Sequence, residues 1–335
     1  MKQFEIAEFG IEQLRLNETE IPRPGPGQVL VKMRAASLNF RDLRVVQGSY
    51  NPRLKRPMRP LSDGSGVVED VGPGVERWKK GDRVAGIFMQ KWIDGPINRE
   101  KWNSALGGAV QGLLAEYVLF SEDGLVSVPP ALNDDEAACL PCAAVTAWHA
   151  LFETEPAVPG QTVLLQGTGG VSVFALQFAK AAGLRTIVTS SSNEKLERVR
   201  SLGAADTVNY KETPEWEETA RKLTDGVGVD NVVEVGGSDT IPKSLRAVRM
   251  GGLVSVIGVL SGVEPSVAPT SILMNSIRVQ GIYVGSRWMF ERMNRAIAFG
   301  NIKPVIDRVF PWTEFPEALG YMQKQQHFGK ICLRF

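Results

Sequence analysis

The first part of the chain, to about residue 130, alternates short apolar and polar runs. Glycine, proline and aspartate interrupt these runs at short intervals, as in "GQVLVKMRAAS", "GSGVVEDVG", "GDRVAGIF" and "LLAEYVLFS". Period-two alternation with frequent turn residues is typical of short antiparallel strands. The pattern therefore predicts a barrel-like or sandwich-like β unit.

The pattern changes at about Asn133. Short runs rich in β-branched residues now alternate with helical segments, which predicts a parallel sheet wound on both faces. The expected strands are residues 163–165, 186–189, 207–210, 231–235, 253–259 and 279–284. Beyond Gly285 we expect a helix, a strand, a second helix opened by Pro316 and the closing strand "KICLRF", a tail that packs back on the first unit. The predicted domains are 1–132, 133–285 and 286–335.

Two helices show their limits in the sequence. One follows the first parallel strand and should end near Gly183, because glycine readily adopts the left-handed conformation after a helix. The apolar face of this helix comprises Val171, Phe174, Ala175, Phe178 and Ala182. Another helix is expected to begin with Thr213 as N-cap and Pro214 at its first position.

Composition narrows the class of protein. The 335 residues are 43% hydrophobic and 22% charged, with a formal net charge of +1. This charge gives no global attraction to nucleic acid or an anionic membrane, and the basic run at 53–59 is interpreted as a solvated loop. Three cysteines are too few for a disulfide framework, which suits a reducing compartment. No apolar run approaches the ~20 residues of a membrane span, and "MKQFEIAEFG" lacks the apolar segment of a secretion signal. The expected location is therefore the cytoplasm.

A glycine-rich loop carries the main chemical signal. The stretch "VLLQGTGGVSVFALQFAKAAG" consists of a strand, a loop of Gly167, Thr168, Gly169, Gly170 and Val171, and an amphipathic helix. In that context the glycines permit a tight turn and a close approach to a pyrophosphate at the helix N-terminus. Ser172 occupies the place of a third glycine. The motif predicts dinucleotide binding; the alternative is a tight turn without a ligand.

The end of the next strand indicates which dinucleotide. Ser190, Ser191 and Ser192 occupy the region where an acidic residue would bind the ribose hydroxyls of NAD, and Lys195 follows. Hydroxyl groups and cations suit a 2'-phosphate, so NADPH is favoured over NADH. The alternative is that the serines only cap the following helix.

Taken together, these segments resemble the medium-chain dehydrogenase/reductase superfamily, in particular its zinc-independent, quinone oxidoreductase-like and alcohol dehydrogenase-like branch. The resemblance rests on "SLNFRDL", "PLSDGSGVVEDVGPGVERWKKGDRVAG", "LPCAAVTAWHAL" and "LGAADTVNY" as well as the glycine loop. It implies an α/β protein with a Rossmann doubly wound parallel sheet domain inserted into a GroES-like β-barrel catalytic domain.

The resemblance also bears on metal. Zinc-dependent members carry ligands at positions that match Asn39 and Asp63 here, and only Cys142 retains a ligand residue. The interval from Phe88 to Leu113 lacks the four cysteines of the family's structural zinc site. Because a catalytic zinc normally needs three protein ligands, we expect no metal.

Candidate site residues follow from the same resemblance. It implies catalytic or substrate-contacting roles for Asn39, Asp42 and Tyr50. For the cofactor, it implies that Thr146 lines the nicotinamide and that the phosphates are met by Lys195, Tyr210 and Lys330. It also implies that the nicotinamide carboxamide is held by the backbone at Ile257, Val259, Ile282 and Val284. For Asp42, Tyr210 and Lys330 a purely structural role stays open.

The expected activity is NADP(H)-dependent, zinc-independent hydride transfer between nicotinamide and a quinone, an enone or a related carbonyl. The alternatives are a metal-independent alcohol dehydrogenase, a non-catalytic NADPH-binding sensor and a nucleic-acid-binding protein. A homodimer is expected through the strand at 279–284, with a monomer as the alternative. No membrane or nucleic-acid partner is expected.

Overall fold

The computed structural model describes residues 1–260, 262 and 267–335. The chain divides into two compact units, one formed by Met1–Val145 with Val284–Phe335 and the other by Thr146–Tyr283. Among the described residues, no helix combines the length and the apolar character that crossing a bilayer requires.

The N-terminal part of the first unit is mainly β-structure. Its strands are β1 (Lys2–Ile6), β2 (Leu14–Glu18), β3 (Gln28–Ser37), β4 (Asp63–Val71), β5 (Arg83–Gly86), β6 (Tyr117–Ser121) and β7 (Leu125–Ser127). Its helices are α1 (Phe40–Val46), α2 (Arg99–Trp102) and α3 (Asp134–Ala138), followed by a π-helical turn at Leu140–Ala144. The second unit begins within the short helix α4 (Val145–Trp148), which a second π-helical turn, His149–Glu153, follows.

The second unit alternates strands with helices. Its strands are β8 (Thr162–Gln166), β9 (Arg185–Ser190), β10 (Asp206–Asn209), β11 (Val229–Glu234), β12 (Val248–Val256) and β13 (Arg278–Gly281). Its helices are α5 (Gly170–Ala181), α6 (Asn193–Leu202), α7 (Trp216–Lys222), α8 (Ile241–Ala247) and α9 (Pro269–Met274). The C-terminal tail then contributes α10 (Arg287–Gly300), β14 (Ile306–Pro311), α11 (Phe315–Gln323) and β15 (Lys330–Arg334) to the first unit.

All neighbouring strands of the second unit pair in parallel, in the order β10-β9-β8-β11-β12-β13. This order, in which the first strand lies beside the fourth, is that of a Rossmann fold. The sequence-based expectation of an α/β protein with a doubly wound parallel sheet is confirmed. On α5 the residues Phe174, Ala175 and Phe178 are buried, and Gly183 follows the helix with a φ of 71°.

The first unit has a mostly antiparallel sheet in the order β14-β15-β3-β4-β5-β7, and β6 also pairs with β3. The closing strand β15 runs antiparallel to β3, although 292 residues separate Leu38 from Lys330 in the chain. Because of this pairing, residues that follow β3 lie next to residues of β15. A core cluster that includes Ile6, Val31, Leu113 and Phe315 fills the interior of this unit.

Candidate functional site

The glycine loop follows β8 directly and leads into α5. Gly167 has a φ of 71°, a conformation that other residues rarely adopt, and Gly169 is the N-cap of α5. A Cβ atom built on either glycine would meet no described atom within 4 Å. The loop therefore offers an open, backbone-lined surface beside a helix N-terminus, which is the geometry that binds a phosphate anion.

The carboxyl end of β9 has a different chemistry. Ser190 is buried, and the Ser192 side chain accepts a hydrogen bond from the Lys195 backbone nitrogen, so Ser192 caps α6. Tyr210 lies beside this end, because its backbone nitrogen donates to the Ser190 carbonyl oxygen at 3.0 Å. The Glu212 carboxylate is also near, and it accepts hydrogen bonds from the side chains of Asn193 and Asn209.

The loop after β11 is held by a buried carboxylate. Glu234 is fully buried, and its Oε1 accepts hydrogen bonds from the Gly236 and Gly237 backbone nitrogens and from the Thr240 hydroxyl. Its Oε2 accepts hydrogen bonds from the Gln166 amide and the Ser244 hydroxyl. Sequence reasoning missed Glu234, although an acidic residue at the end of an apolar parallel strand is a signal that could have indicated it.

The predicted backbone positions lie at the ends of β12 and β13. Ile257 donates from its backbone nitrogen to the Glu234 carbonyl oxygen, and Ile282 donates to the Val256 carbonyl oxygen, both at 2.8 Å. A Cβ atom on Gly258 would lie 2.4 Å from the Val235 carbonyl oxygen, so this position requires glycine.

Val284 adopts a φ of 55°, which is strained for a β-branched residue. Strain of this kind concentrates at functional sites. Of the other predicted cofactor contacts, Val259 is exposed and Thr146 is buried on α4.

In the first unit, Lys330 lies among oxygen atoms at the junction of β3 and α1. It is only 3% exposed, and its Nζ donates to the Leu38 carbonyl oxygen at 2.7 Å and to Asn39 Oδ1 at 2.8 Å. Asp63 Oδ2 lies 3.9 Å from the same Nζ. The structure thus brings Lys330 next to the catalytic candidate Asn39, a neighbour that spacing in the sequence does not reveal.

Asp42 completes this polar cluster. Its Oδ2 accepts a 2.8 Å hydrogen bond from the Asn39 backbone nitrogen, whereas its buried Oδ1 has no hydrogen-bond partner within the described part of the chain. Burial raises the pKa of Asp42 to about 6, although Arg41 nearby opposes the shift. Burial likewise raises the pKa of Asp63, and Lys330 and Asn39 partly offset that rise.

Aromatic side chains lie near this cluster. The Arg41 guanidinium lies 5.1 Å from the centre of the Tyr50 ring and 4.7 Å from that of Phe88, and it donates to the Leu106 carbonyl oxygen. Tyr50, the third catalytic candidate, is 37% exposed. Sequence reasoning assigned no role to Arg41, since nothing in the sequence pairs it with these rings.

The donor set around Asn39 does not suit zinc. A zinc ion needs thiolate, imidazole or carboxylate ligands. Here Asn39 Oδ1 already accepts from Lys330, a cation that would repel the metal, and burial raises the pKa of the Cys142 thiol, which disfavours the thiolate. Elsewhere among the described residues, no group of three or more His, Cys, Asp or Glu could hold a metal ion.

Cys139 faces Cys332 rather than Cys142. The two sulfur atoms are 3.4 Å apart and fully buried, and all three cysteines are free thiols. The C-x-x-C spacing of Cys139 and Cys142 therefore does not bring these two thiols together as a ligand pair.

Comparison with known proteins identifies the family. The family "Alcohol dehydrogenase GroES-like domain" matches residues 25–130, and the family "Zinc-binding dehydrogenase" matches residues 170–299. A zinc-type alcohol dehydrogenase-like protein of Schizosaccharomyces pombe is 45% identical over 332 residues, covering 97% of this chain and 96% of that protein. The chain belongs to the medium-chain dehydrogenase/reductase superfamily. A quinone oxidoreductase of Rattus norvegicus is 29% identical, covering 95% of this chain and 92% of that protein.

Solved structures agree in fold over the whole length. A crystal structure from Sinorhizobium meliloti 1021 that carries an alcohol dehydrogenase name is 41% identical, with a TM-score of 0.94, covering 100% of this chain and 98% of that one. An NAD-dependent alcohol dehydrogenase is 33% identical, with a TM-score of 0.91 and complete coverage of both chains. This medium-chain dehydrogenase/reductase is therefore an oxidoreductase with a GroES-like domain and a fold that binds a nicotinamide cofactor.

Proposed function

We propose that this protein is an NADP(H)-dependent, zinc-independent oxidoreductase that transfers hydride between nicotinamide and a quinone, an enone or a related carbonyl. The observation that supports the cofactor choice is the carboxyl end of β9. Ser190, Ser191 and Ser192 are followed by Lys195 in the first turn of α6, β9 itself ends without a carboxylate, and the nearby Glu212 carboxylate is bound by the Asn193 and Asn209 amides. A cation and hydroxyl donors stabilise a 2'-phosphate, whereas a carboxylate would repel it.

The residues of the second unit fit the dinucleotide. Gly167 and Gly169 leave space for a pyrophosphate, and the backbone nitrogens of Thr168, Gly170 and Val171 lie at or near the start of α5. Ser190, Ser191, Lys195 and Tyr210 would hold the adenosine ribose and its phosphate. When bound, the cofactor supplies the hydride; the protein binds and orients it.

In the first unit we assign Asn39 to the substrate oxygen. Its buried Nδ2 makes no well-aligned hydrogen bond among the described residues, although the Asn39 side chain also lowers the pKa of the neighbouring Asp63. A donor held in a site shielded from water stabilises negative charge that develops on a carbonyl oxygen. Without a metal, hydrogen bonding alone must polarise the carbonyl group. This explains the reduction of a conjugated, already electrophilic acceptor more readily than the oxidation of a simple alcohol. Asp42 orders the start of α1 through the Asn39 backbone nitrogen.

A metal-independent alcohol dehydrogenase is the second candidate. The alcohol dehydrogenase part of this candidate is supported by the 45% identity to the zinc-type alcohol dehydrogenase-like protein and by the 33% identity to the NAD-dependent alcohol dehydrogenase. The donor set around Asn39 and Lys330 favours the metal-independent form of either reaction.

We also propose a homodimer built on β13, the terminal strand of the parallel sheet. Every residue of β13 is exposed, and Leu273 and Met274 just before it are 74% and 73% exposed. An unpaired strand edge beside large apolar side chains is a surface suited to pairing across a two-fold axis. The free thiols support a reducing compartment, for which we propose the cytoplasm.

The test combines binding with turnover. Calorimetry with NADPH and with NADH should give a dissociation constant at least about tenfold lower for NADPH. A steady-state assay with NADPH and a panel of quinones, enones and aldehydes, repeated after chelation, should show turnover that the chelator does not change. Tighter binding of NADH than of NADPH would overturn the cofactor assignment. Turnover of alcohols alone would overturn the substrate assignment.

A further inference from the structure

Lys330 lies in an almost fully buried position, which is unusual for a lysine. Its ammonium group is within hydrogen-bond distance of the Leu38 carbonyl oxygen and Asn39 Oδ1, and Asp63 Oδ2 lies 3.9 Å away. Burial of a lysine requires that its charge be balanced and its donors satisfied. The balancing charge is on Asp63, which is also fully buried.

The contact with Lys330 fixes the orientation of the Asn39 amide. A lysine ammonium group has three donors and no acceptor, so the amide atom at 2.8 Å must be the oxygen. The Nδ2 of Asn39 is then the atom turned away from Lys330.

Asp63 is itself held in place. Its Oδ1 accepts a 2.8 Å hydrogen bond from the Ser62 hydroxyl, and its Oδ2 accepts a 3.0 Å hydrogen bond from the Cys142 backbone nitrogen. Asn39, Asp63 and Cys142 are the positions that match ligand positions of zinc-dependent relatives. In this chain the positive charge next to Asn39 and Asp63 is the ammonium group of Lys330.

We infer that Lys330 is a positioning residue: its buried ammonium group takes the place of a metal cation and fixes the orientation of the Asn39 amide. The catalytic part of this inference rests on the proposed function. It differs from the role that family resemblance gives Lys330, a contact with the cofactor pyrophosphate, because the described partners of its Nζ, Leu38, Asn39 and Asp63, lie inside the first unit.

The test removes the charge together with its counter-charge. The double variant Lys330→Met/Asp63→Asn removes both charges of the buried pair and leaves Asp42 near Arg41, so it should fold. We expect kcat for an NADPH-dependent quinone or enone reduction to fall at least about tenfold, with the Kd for NADPH changed less than about twofold. The matched control is Lys80→Met/Glu69→Gln, which removes an exposed ion pair of the same unit and should change neither.

Raised Kd for NADPH with unchanged kcat would place Lys330 on the cofactor and overturn the inference. A second measurement does not depend on turnover: a thermodynamic cycle that combines Asn39→Ala with the paired change Lys330→Met/Asp63→Asn, followed by urea unfolding. If Lys330 acts through Asn39, the shifts in the urea midpoint of unfolding caused by the two changes should not add up in the combined variant. Additive midpoints would contradict the positioning role.

The two measurements separate the two proposals. If wild-type protein turns over no substrate of the panel, the proposed function is refuted. The unfolding cycle would still test whether Lys330 and Asn39 are energetically coupled. Elemental analysis of the wild-type protein adds a third readout. Stoichiometric zinc would overturn the assignment of the ammonium group as the cation of this cluster.

Discussion

The Ser172 hydroxyl donates a 2.6 Å hydrogen bond to the Gln166 carbonyl oxygen, which links the first turn of α5 to the end of β8. The third glycine of a dinucleotide-binding loop normally permits close packing of the helix on the strand. Here a buried serine occupies that position, and its hydroxyl group turns back onto the strand. The hydroxyl group is thus used inside the fold rather than on a ligand.

Replacing Ser172 should therefore affect stability and not cofactor binding. Ser172→Ala removes one buried hydrogen bond and should lower the free energy of unfolding by about 1 kcal/mol. Chemical denaturation measures this loss, and calorimetry should show an unchanged Kd for NADPH. The control is Ser201→Ala, which removes an exposed hydroxyl that also donates to a helix carbonyl group. A large rise in Kd for NADPH in Ser172→Ala would contradict this interpretation.

Lys195→Gln tests the assignment of the 2'-phosphate site. Removing a cation from beside the phosphate should raise the Kd for NADPH about tenfold or more, because a hydrogen-bonded charge pair contributes about 1.5–3 kcal/mol. The Kd for NADH should stay the same, since NADH lacks that phosphate group. Lys222→Gln, on the exposed side of α7, is the control. Equal losses for both dinucleotides would place Lys195 elsewhere than at the 2'-phosphate.

Local patterns were enough to predict the parallel sheet and its helices. β-branched runs and the glycine loop located β8 to β13, and Gly183 indicated the end of α5 correctly. The start of α7 was predicted wrongly: its N-cap is Glu215 rather than Thr213. The Thr213 backbone nitrogen instead donates to the Asn209 carbonyl oxygen, in a turn that continues from β10. Local propensity did not anticipate this competing hydrogen bond.

The polar clusters could not be predicted from spacing. Lys330 reaches Asn39 because β15 pairs with β3, and Glu234 reaches Gln166 because β11 pairs with β8. Both contacts depend on strand order, which joins residues that are far apart in the chain. The strain at Val284 also depends on tertiary structure, because nothing in its sequence neighbours requires a positive φ.

Glu234→Gln should destabilise the second unit. The carboxylate accepts from Gly236, Gly237, Thr240, Gln166 and Ser244, and an amide group would place two of its own donors against some of these. Leaving buried donors unsatisfied costs about 1–3 kcal/mol each, so we expect a loss of at least that size. Urea denaturation measures it, with Glu218→Gln on the exposed face of α7 as control. A loss no larger than in that control would show that the network contributes little.

The raised pKa of Asp42 predicts how stability depends on pH. The folded protein holds a proton on Asp42 up to about pH 6, whereas the unfolded chain releases it near the ordinary value of 3.8. The folded state thus binds the proton more tightly, and its stability falls as pH rises from about 4 to about 6. The shift corresponds to about 3 kcal/mol at most.

Asp42→Asn should abolish this contribution, because an amide group does not titrate and can still accept from the Asn39 backbone nitrogen. The difference in unfolding free energy between variant and wild type should therefore grow in favour of the variant from pH 4 to pH 6.5. The matched control is Asp70→Asn, the same change at an exposed position of β4. A difference that stays constant with pH would mean that Asp42 titrates normally.

Val279→Asp tests the proposed dimer. Val279 lies in the middle of β13, whose outer edge has no strand partner among the described residues, and it is 43% exposed. A charge at this position would be desolvated in a strand-to-strand contact across a two-fold axis, next to its symmetry mate of the same sign. We expect analytical ultracentrifugation to show wild-type protein at twice the chain mass of 36.6 kDa and the variant at the chain mass.

Val309→Asp makes the same change on β14, the terminal strand of the other sheet, and should leave the assembly intact. A wild-type protein that sediments as a monomer at every concentration would refute the dimer, whereas a shift in both variants would place the interface elsewhere than β13 alone.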